Sequence, residues 1–320
     1  MSPALAKIGI ISIGDMGVGI AKLLIAHGFS VATNAKGRSN DTLERAKSAQ
    51  VELLNSDEAL TQQCSVILSV VPPRDAVATA QRVVDAVSGP LRRTEDNPLY
   101  FADLNAVAPS SVKRIASLFN ERLYVRFIDG SILGGPPAPK GADGTEWALP
   151  RIPTSGPYQF SDIPEFGAKL AATLNTNHVS AEVGAASGLK MCFASFSKGF
   201  TSLAIQSFTT AHRLGVLPEL QGELQALMPR HYEIAEKGVV GMAPKAYRWV
   251  AEMEEIARTL SEEAGFPSDS FTGAAKVYRT VADDTVLGQE KIGKRKRGTT
   301  VEDVAAAVAE GLRTKQKKND

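Results

Sequence analysis

The chain has 320 residues, 43% hydrophobic and 22% charged, with a formal net charge of +1, which predicts two domains and argues against a nucleic-acid-binding protein. Two cysteines, Cys64 and Cys192, and four histidines without metal-ligand spacing exclude a disulfide framework and a structural metal, and indicate a reducing compartment. No apolar run approaches the ~18 residues of a membrane span, and the early first strand leaves no room for a signal peptide, so we expect a cytoplasmic protein.

The first predicted element is the apolar run 8–13, which is rich in β-branched residues and too short for an ordinary helix. It is typical of a buried parallel strand. Three glycines follow it directly: Gly14, Gly17 and Gly19. They allow a tight turn and a close approach to a pyrophosphate, which the N-terminus of a helix over 16–27 would face. Ser12 replaces the first glycine of the usual G-x-G-x-x-G pattern, but a strand over 29–33 completes a βαβ unit of the expected size.

The end of that second strand predicts which dinucleotide binds. An NAD-specific site places an Asp or Glu there against the ribose hydroxyls, whereas this chain has the neutral Asn34. Lys36, Arg38 and Ser39 follow, and two cations with a hydroxyl suit a 2′-phosphate through charge-assisted hydrogen bonds. The alternative interpretation is a solvated basic turn.

Strand and helix patterns then alternate to about residue 182. The predicted strands are 65–71, 99–104, 124–129, 146–152 and 177–183, and the predicted helices are 75–86 and 109–119. This alternation predicts an α/β fold, a doubly wound Rossmann sheet with a mixed far edge, over residues 1–182.

Residues 183–320 predict an all-α second domain for substrate binding and dimerisation. The expected helices are 187–214, 220–237, 243–264, 268–284 and 300–315. Ser268 and Thr300 are candidate N-caps, and Asp303 would complete an imperfect capping box with Thr300. The helix over 187–214 is apolar around most of its circumference, which predicts a homodimer or a larger homo-oligomer.

Three motifs in this order resemble the β-hydroxyacid dehydrogenases, the relatives of 3-hydroxyisobutyrate and 6-phosphogluconate dehydrogenase. They are the G-x-M-G loop, the segment D-G-S-I-L-G-G over 129–135, and the segment G-A-A-S-G-L-K over 184–190. The resemblance covers essentially the whole chain, and the C-terminal half is most similar to a branch with a 6-phosphogluconate-dehydrogenase-like C-terminal domain. It implies an NADP- or NAD-dependent oxidation of a hydroxyl group β to a carboxylate.

The resemblance also implies roles for individual residues. Those implied to bind the cofactor are Ile13, Gly14, Asp15, Met16, Gly17, Val70, Val71, Pro72 and Asn105, besides Asn34, Lys36, Arg38 and Ser39. Those implied to bind substrate are Ser131, Leu133, Gly134, Gly135 and Ala194. Relatives carry a Ser where this chain has Leu133 and an Asn where it has Ala194, so two polar contacts to the substrate are lost. The pocket wall is correspondingly more apolar, which favours a larger or less polar substrate than a short hydroxy acid.

Lys190 matches the catalytic lysine of these relatives. No other charge lies within 184–196, so burial beside a cofactor would lower the pKa of its ammonium group toward a value useful for proton transfer. The alternative is an ordinary solvated lysine. The basic run 294–297 resembles a nuclear-localisation or nucleic-acid patch, but a solvated loop between helices is the preferred interpretation.

The sequence therefore predicts an NADPH-dependent oxidoreductase that transfers hydride between the nicotinamide and a carbonyl or alcohol carbon of a small molecule, with Lys190 as the proton-transfer residue. An imine reductase of the same fold is one alternative. A non-catalytic NADPH-binding module is another. No metal, nucleic acid or membrane partner is expected.

Overall fold

A computed structural model describes residues 4–34, 36–89, 93–119, 124–141, 146–291 and 294–319. The chain divides into two compact units, Met1–Lys190 and Met191–Asp320. The predicted boundary between residues 182 and 183 lies eight residues before this division. It concerns the functional domains rather than the compact units, and it stays a prediction.

The first unit contains ten strands within the described residues. They are β1 Lys7–Ile11, β2 Ser30–Asn34, β3 Glu52–Leu54, β4 Val66–Ser69, β5 Leu99–Asp103, β6 Val125–Gly130, β7 Ala138–Lys140, β8 Glu146–Ala148, β9 Ile152–Ser155 and β10 Thr176–Ser180. Eight of them form one sheet in the order β10-β9-β6-β5-β4-β1-β2-β3, and β7 pairs with β8 as an antiparallel hairpin.

The main sheet is parallel except where β6 meets β9. Since β10 runs parallel to β9, the far edge is mixed, as the sequence predicts. The chain reverses its direction of winding beside β1, where β4 lies on one side and β2 on the other, and ligands bind at this point in open α/β sheets. The predicted fold class is confirmed.

Helices cover both faces of this sheet. They are α1 Asp15–Ala26, α2 Asn40–Ser48, α3 Asp57–Gln63, α4 Ala76–Val87, α5 Pro109–Ala116 and α6 Gly167–Leu174. Alternate strand residues face opposite cores: Val66 and Leu68 of β4 pack in one cluster, and Ile67 packs in the other. This alternation follows from the two-residue period of a strand and explains why the strands are apolar throughout.

The second unit is helical. Helix α7, Ala185–Ala194, begins in the first unit and ends in the second, where a π-turn at Ser195–Gly199 leads into α8 Phe200–Leu214. The other helices are α9 Leu217–Leu227, α10 Pro229–Met242, α11 Ala246–Ala264, α12 Asp269–Asp284 and α13 Val301–Asn319. Helix α11 packs along α12, and α8 packs against α13. Among the described residues, no helix combines the length and apolar character needed to cross a membrane.

Two predicted elements are wrong in detail. The predicted strand 146–152 is divided: β8 belongs to the hairpin and β9 to the main sheet, because Pro150 interrupts the run. The predicted helix 220–237 is two helices, since Pro229 lacks the N–H that a helix interior needs and instead starts α10.

The predicted caps differ in outcome. The Thr300 hydroxyl accepts a hydrogen bond from Asp303 N at 3.2 Å, so Thr300 caps α13. The Asp303 carboxylate does not complete a capping box, because it accepts hydrogen bonds from Arg297 and Gly298. Ser268 precedes α12 but makes no side-chain cap, since its own backbone is already helical.

Candidate functional site

The loop between β1 and α1 lies at the carboxyl edge of the sheet, where the first main-chain N–H groups of α1 have no partner within the helix. Gly14 is the N-cap of α1, and its carbonyl accepts from Val18 N at 2.8 Å. A Cβ added at Gly17 would meet the Ser12 carbonyl oxygen at 2.0 Å, whereas one added at Gly14 would meet nothing within 4 Å. Gly17 therefore permits the tight turn, and the open backbone at Gly14 fits a pyrophosphate group. The other predicted loop residues are buried Ile13, half-buried Met16 and exposed Asp15.

A charged cavity opens where β2 ends. Asn34 Nδ2 donates to Asp57 Oδ1 at 2.7 Å, and Asn34 Oδ1 accepts from Lys36 N at 3.0 Å. Arg82 donates from Nε and Nη2 to the two oxygens of Asp57 at 2.8 Å each. The cavity has a volume of about 350 Å³ and is lined by Asn34, Lys36, Gly37, Arg38, Asp57 and Arg82. Its cations outnumber its one carboxylate, so it suits an anion.

Ser39 does not belong to this cavity. It precedes α2, and its hydroxyl lies 3.1 Å from the Thr42 hydroxyl. The structure thus brings together three of the four residues that the sequence assigns to a 2′-phosphate site, and it adds Asp57 and Arg82, which sequence reasoning missed.

Asn105 lies just past the carboxyl end of β5 and fixes the loop that follows β4. Its Oδ1 accepts from Val71 N at 2.7 Å, and its Nδ2 donates to the Ser69 hydroxyl at 3.0 Å and to Asp103 Oδ2 at 2.8 Å. The side chain is buried, so its amide is committed to the protein and holds the segment of the predicted cofactor residues Val70, Val71 and Pro72.

Asp103, beside Asn105, is fully buried. Burial raises the pKa of this carboxyl group to about 7, and the hydrogen bonds from Asn105 oppose that rise. The group therefore changes its protonation within the neutral pH range.

A second buried carboxyl group, Asp129, fixes the start of α7. Its oxygens accept from the hydroxyls of Ser155 and Ser187 at 2.7 Å each and from Gly184 N at 2.8 Å. Burial raises the pKa of Asp129, and these hydrogen bonds oppose the rise. The Asp129 carboxyl group thus accepts hydrogen bonds at the N-terminus of α7, the helix that carries Lys190.

The register of the sheet explains why these polar side chains meet. Ser69 pairs with Asp103, Asp103 with Asp129, and Asp129 with Ser155, so the four form one row across neighbouring strands. All four are fully buried. The sequence signal was an Asp at the end of each of two apolar strands, but only the strand order shows that the two are neighbours.

Lys190 lies on α7, half-buried, and its Nζ donates to the Ile132 carbonyl at 2.7 Å. This bond joins the lysine to the segment 129–135, as expected if both form one site. The ammonium group therefore lies at the carboxyl edge of the sheet, in the same unit as the glycine loop.

The predicted substrate residues differ in how open they are. The Ser131 hydroxyl is buried and donates to Ala186 O at 2.9 Å, and Leu133 N donates to Arg151 O at 2.8 Å. Gly134 and Gly135 are exposed, and a Cβ at Gly135 would meet nothing within 4 Å. Ala194 is 1% exposed in the second unit, so its side chain offers no open surface. Of the five, the two glycines present the accessible backbone.

A nucleotide loop at the β1 carboxyl end, with a charged cavity at the end of β2, defines the class of dinucleotide-binding α/β proteins. Residues 7–145 match the NAD binding domain of 6-phosphogluconate dehydrogenase, and residues 211–281 match DUF1932, a domain of unknown function. The chain thus carries a 6-phosphogluconate-dehydrogenase-like NAD-binding domain followed by a DUF1932 domain, and the resemblance predicted from the sequence is confirmed.

Individual proteins agree with this assignment. The chain is 23% identical over 259 residues to an uncharacterized 28.5 kDa protein in the 7S RNA 5′ region of Methanothermus fervidus, covering 78% of this chain and 90% of that protein. It is 27% identical to a conserved protein of unknown function with structural similarity to 3-hydroxyacid dehydrogenases (TM-score 0.58, 87% and 97% coverage). It shares its fold with a 3-hydroxyisobutyrate dehydrogenase from Salmonella typhimurium (16% identity, TM-score 0.64, 95% and 99% coverage). The fold is that of the 3-hydroxyacid dehydrogenase-like NAD(P)-binding oxidoreductases.

Proposed function

We propose that this protein is an NADP(H)-dependent oxidoreductase acting on a carbonyl or alcohol carbon of a small molecule. The observation that carries the proposal is Lys190, held by its 2.7 Å hydrogen bond to Ile132 O at the same sheet edge as the glycine loop. When bound, the nicotinamide would supply the hydride chemistry. Gly14 and the loop fixed by Asn105 would hold the cofactor, and Asp129 would keep α7 and its lysine in place.

In this proposal, Lys190 moves the proton. During reduction its Nζ donates a proton to the oxygen of the carbonyl group, and during oxidation it takes the proton from the hydroxyl group. The hydrogen bond to Ile132 O orients the ammonium group at this edge of the sheet. The backbone N–H groups of Gly134 and Gly135 would bind an anionic group of the substrate.

The cofactor preference follows from the charges of the β2 cavity. Asp57 would repel a 2′-phosphate, but Arg82 pairs with both of its oxygens. Lys36 and Arg38 are then available for the phosphate, and a guanidinium group binds phosphate in a bidentate manner. We therefore expect NADPH to bind at least tenfold more tightly than NADH, about 1.4 kcal/mol, which is within reach of one Arg–phosphate contact.

Isothermal titration of the purified protein with NADPH and with NADH tests this preference. Arg38→Ala should weaken NADPH binding and leave NADH binding nearly unchanged. Arg114→Ala is the matched control, because Arg114 is exposed on α5 and lies outside the cavity. Equal affinities for the two cofactors in the unmodified protein would contradict the proposal.

An imine reductase of the same fold is the second candidate, favoured by the side chains that replace polar groups. The Leu133 side chain provides no hydrogen bond with which to hold a short hydroxy acid. An iminium substrate arrives protonated, so it does not need a proton from Lys190 at nitrogen. NADPH binding without turnover of any carbonyl or imine would instead favour a non-catalytic binding module.

We also propose that the protein is a homodimer or a larger homo-oligomer. Three large apolar side chains of the second unit are exposed: Phe193 50%, Phe196 83% and Leu203 61%. They follow one another at spacings of three and seven residues along the segment from α7 to α8, and they form one stripe. A second copy that covers this stripe would remove a large apolar surface from water.

A further inference from the structure

We propose that a cavity at the amino ends of β9 and β10 is a carboxylate-binding subsite centred on Arg151. The inference rests on the proposed function, because it names the class of substrate that Lys190 would serve. The cavity has a volume of about 390 Å³. One wall is apolar, with Leu133, Pro153 and Leu189, and the other is polar, with Arg151, Asn175 and Asn177.

The polar wall presents donors on a fixed main chain. Arg151 and Leu133 exchange two backbone hydrogen bonds, at 2.8 and 2.9 Å. Asn175 Nδ2 donates to Pro150 O at 2.9 Å, which ties the start of β10 to the same segment. Arg151 and Asn177 are exposed, and no described residue receives a hydrogen bond from either side chain.

The charge of the cavity selects an anion. Within the described part of the chain, its wall contains no Asp or Glu, and Arg151 is its one charged group. A planar guanidinium group matches the two oxygens of a carboxylate, and the Asn177 amide adds a further donor. The apolar wall selects an alkyl chain attached to that carboxylate.

The apolar wall adjoins both ends of the Lys190–Ile132 hydrogen bond. Leu133 follows Ile132, and Leu189 precedes Lys190. An acid anchored on Arg151 would lay its alkyl chain along these leucines and direct its far end toward the lysine. Leu133, which replaces a substrate-binding serine of the resembled family, is then part of the alkyl wall. The substrate would be a carboxylic acid whose reacting carbonyl or hydroxyl is separated from the carboxylate by an alkyl chain.

Binding of hexanoate, measured by calorimetric titration of the full-length protein, tests the subsite without requiring turnover. We expect hexanoate to bind at least tenfold more tightly than hexanamide, which lacks the charge, and than acetate, which lacks the chain. Arg151→Gln should weaken hexanoate binding at least tenfold. Arg114→Gln, at an exposed site on α5 away from the cavity, should leave hexanoate binding unchanged.

Two results would overturn the subsite: hexanamide binding as tightly as hexanoate, or Arg151→Gln retaining the hexanoate affinity of the unmodified protein. Because the Arg151 side chain is exposed, this variant should keep its fold, which circular dichroism would verify. NADPH affinity, measured on the same samples, separates the two claims. In the unmodified protein, absent hexanoate binding with intact NADPH binding would overturn only the subsite, whereas absent NADPH binding would overturn the proposed function.

Discussion

At the scale of single residues, Asp103 shows how burial raises the pKa of a carboxyl group. Its pKa is raised to about 7 in the folded protein, whereas an unfolded Asp titrates near pH 3.9. The folded state therefore keeps a proton that the unfolded chain loses. The resulting stability is complete at low pH and is lost as the pH rises between about 4 and 7.

Asp103→Asn removes this titration. Between pH 5 and 8, we expect the free energy of unfolding of the unmodified protein to fall by roughly 1 to 3 kcal/mol relative to that of the variant. Urea denaturation at the two pH values measures both, and the titration of other groups largely cancels in the difference. Parallel pH dependence in the two proteins would show that Asp103 titrates as an ordinary carboxyl group.

At the scale of elements, two glycines at the junction of β1 and α1 have different roles: Gly17 is needed for the fold, and Gly14 is needed for cofactor binding. A Cβ at Gly17 would lie 2.0 Å from the Ser12 carbonyl oxygen, and a main-chain atom cannot easily move to relieve this clash. We expect Gly17→Ala to destabilise the protein by more than about 2 kcal/mol.

Gly14→Ala is the matched variant in the same loop, because a Cβ there meets nothing within 4 Å in the protein itself. We expect its thermal midpoint to stay near that of the unmodified protein while its NADPH affinity falls at least tenfold, since the methyl group would occupy space meant for the pyrophosphate. Thermal melts and cofactor titrations measure the two effects. Unchanged NADPH affinity in Gly14→Ala would mean that the cofactor does not approach this residue.

The sequence predicted the elements whose signals are local. The strand, glycine loop and helix at the start of the chain show continuous periodicity and lie within one or two residues of their observed ends. The short helices α2, α3 and α6 were not predicted, because each has at most nine residues, too few to show a clear helical period. Pro229 was present in the sequence, but the apolar spacing on either side of it was interpreted as one helix.

The sequence predicted those residues of the candidate site that lie close together in the chain. It did not predict the pairs of residues that are distant in the chain and come together only in the folded protein. Lys190 and the glycine loop have motifs of their own. Asp129 meets Ser187, 58 residues later, and Asp57 meets Arg82, 25 residues later. Those pairs depend on strand order and helix placement, which no local pattern specifies.

For the whole molecule, the exposed stripe of α7 and α8 predicts self-association. Cys192 lies four residues before Phe196, on the same helical face, and it is exposed, whereas Cys64 is buried. Burial also raises the pKa of the Cys64 thiol to about 12, so this thiol is a slow-reacting internal control.

We expect sedimentation at micromolar protein concentration to show a dimer or a larger species. Maleimide should label Cys192 more slowly at micromolar than at nanomolar protein concentration. Phe196→Glu should give a folded monomer with fast Cys192 labelling at both concentrations, because it introduces a charge into the stripe. A stable monomer of the unmodified protein at micromolar concentration would show that the stripe is not a contact between copies.

The central claim is that Lys190 transfers the proton in a hydride-transfer reaction. The most direct test is the turnover number of Lys190→Met with NADPH, on a panel of aldehydes, keto acids and cyclic imines, against Lys169→Met, an exposed lysine on α6. We predict that kcat on a carbonyl substrate falls by roughly 10² to 10⁴ in Lys190→Met, the usual contribution of general acid catalysis, with NADPH affinity and the control unchanged. An undiminished kcat on a confirmed carbonyl substrate would contradict the account, and activity retained on an imine alone would favour the imine reductase.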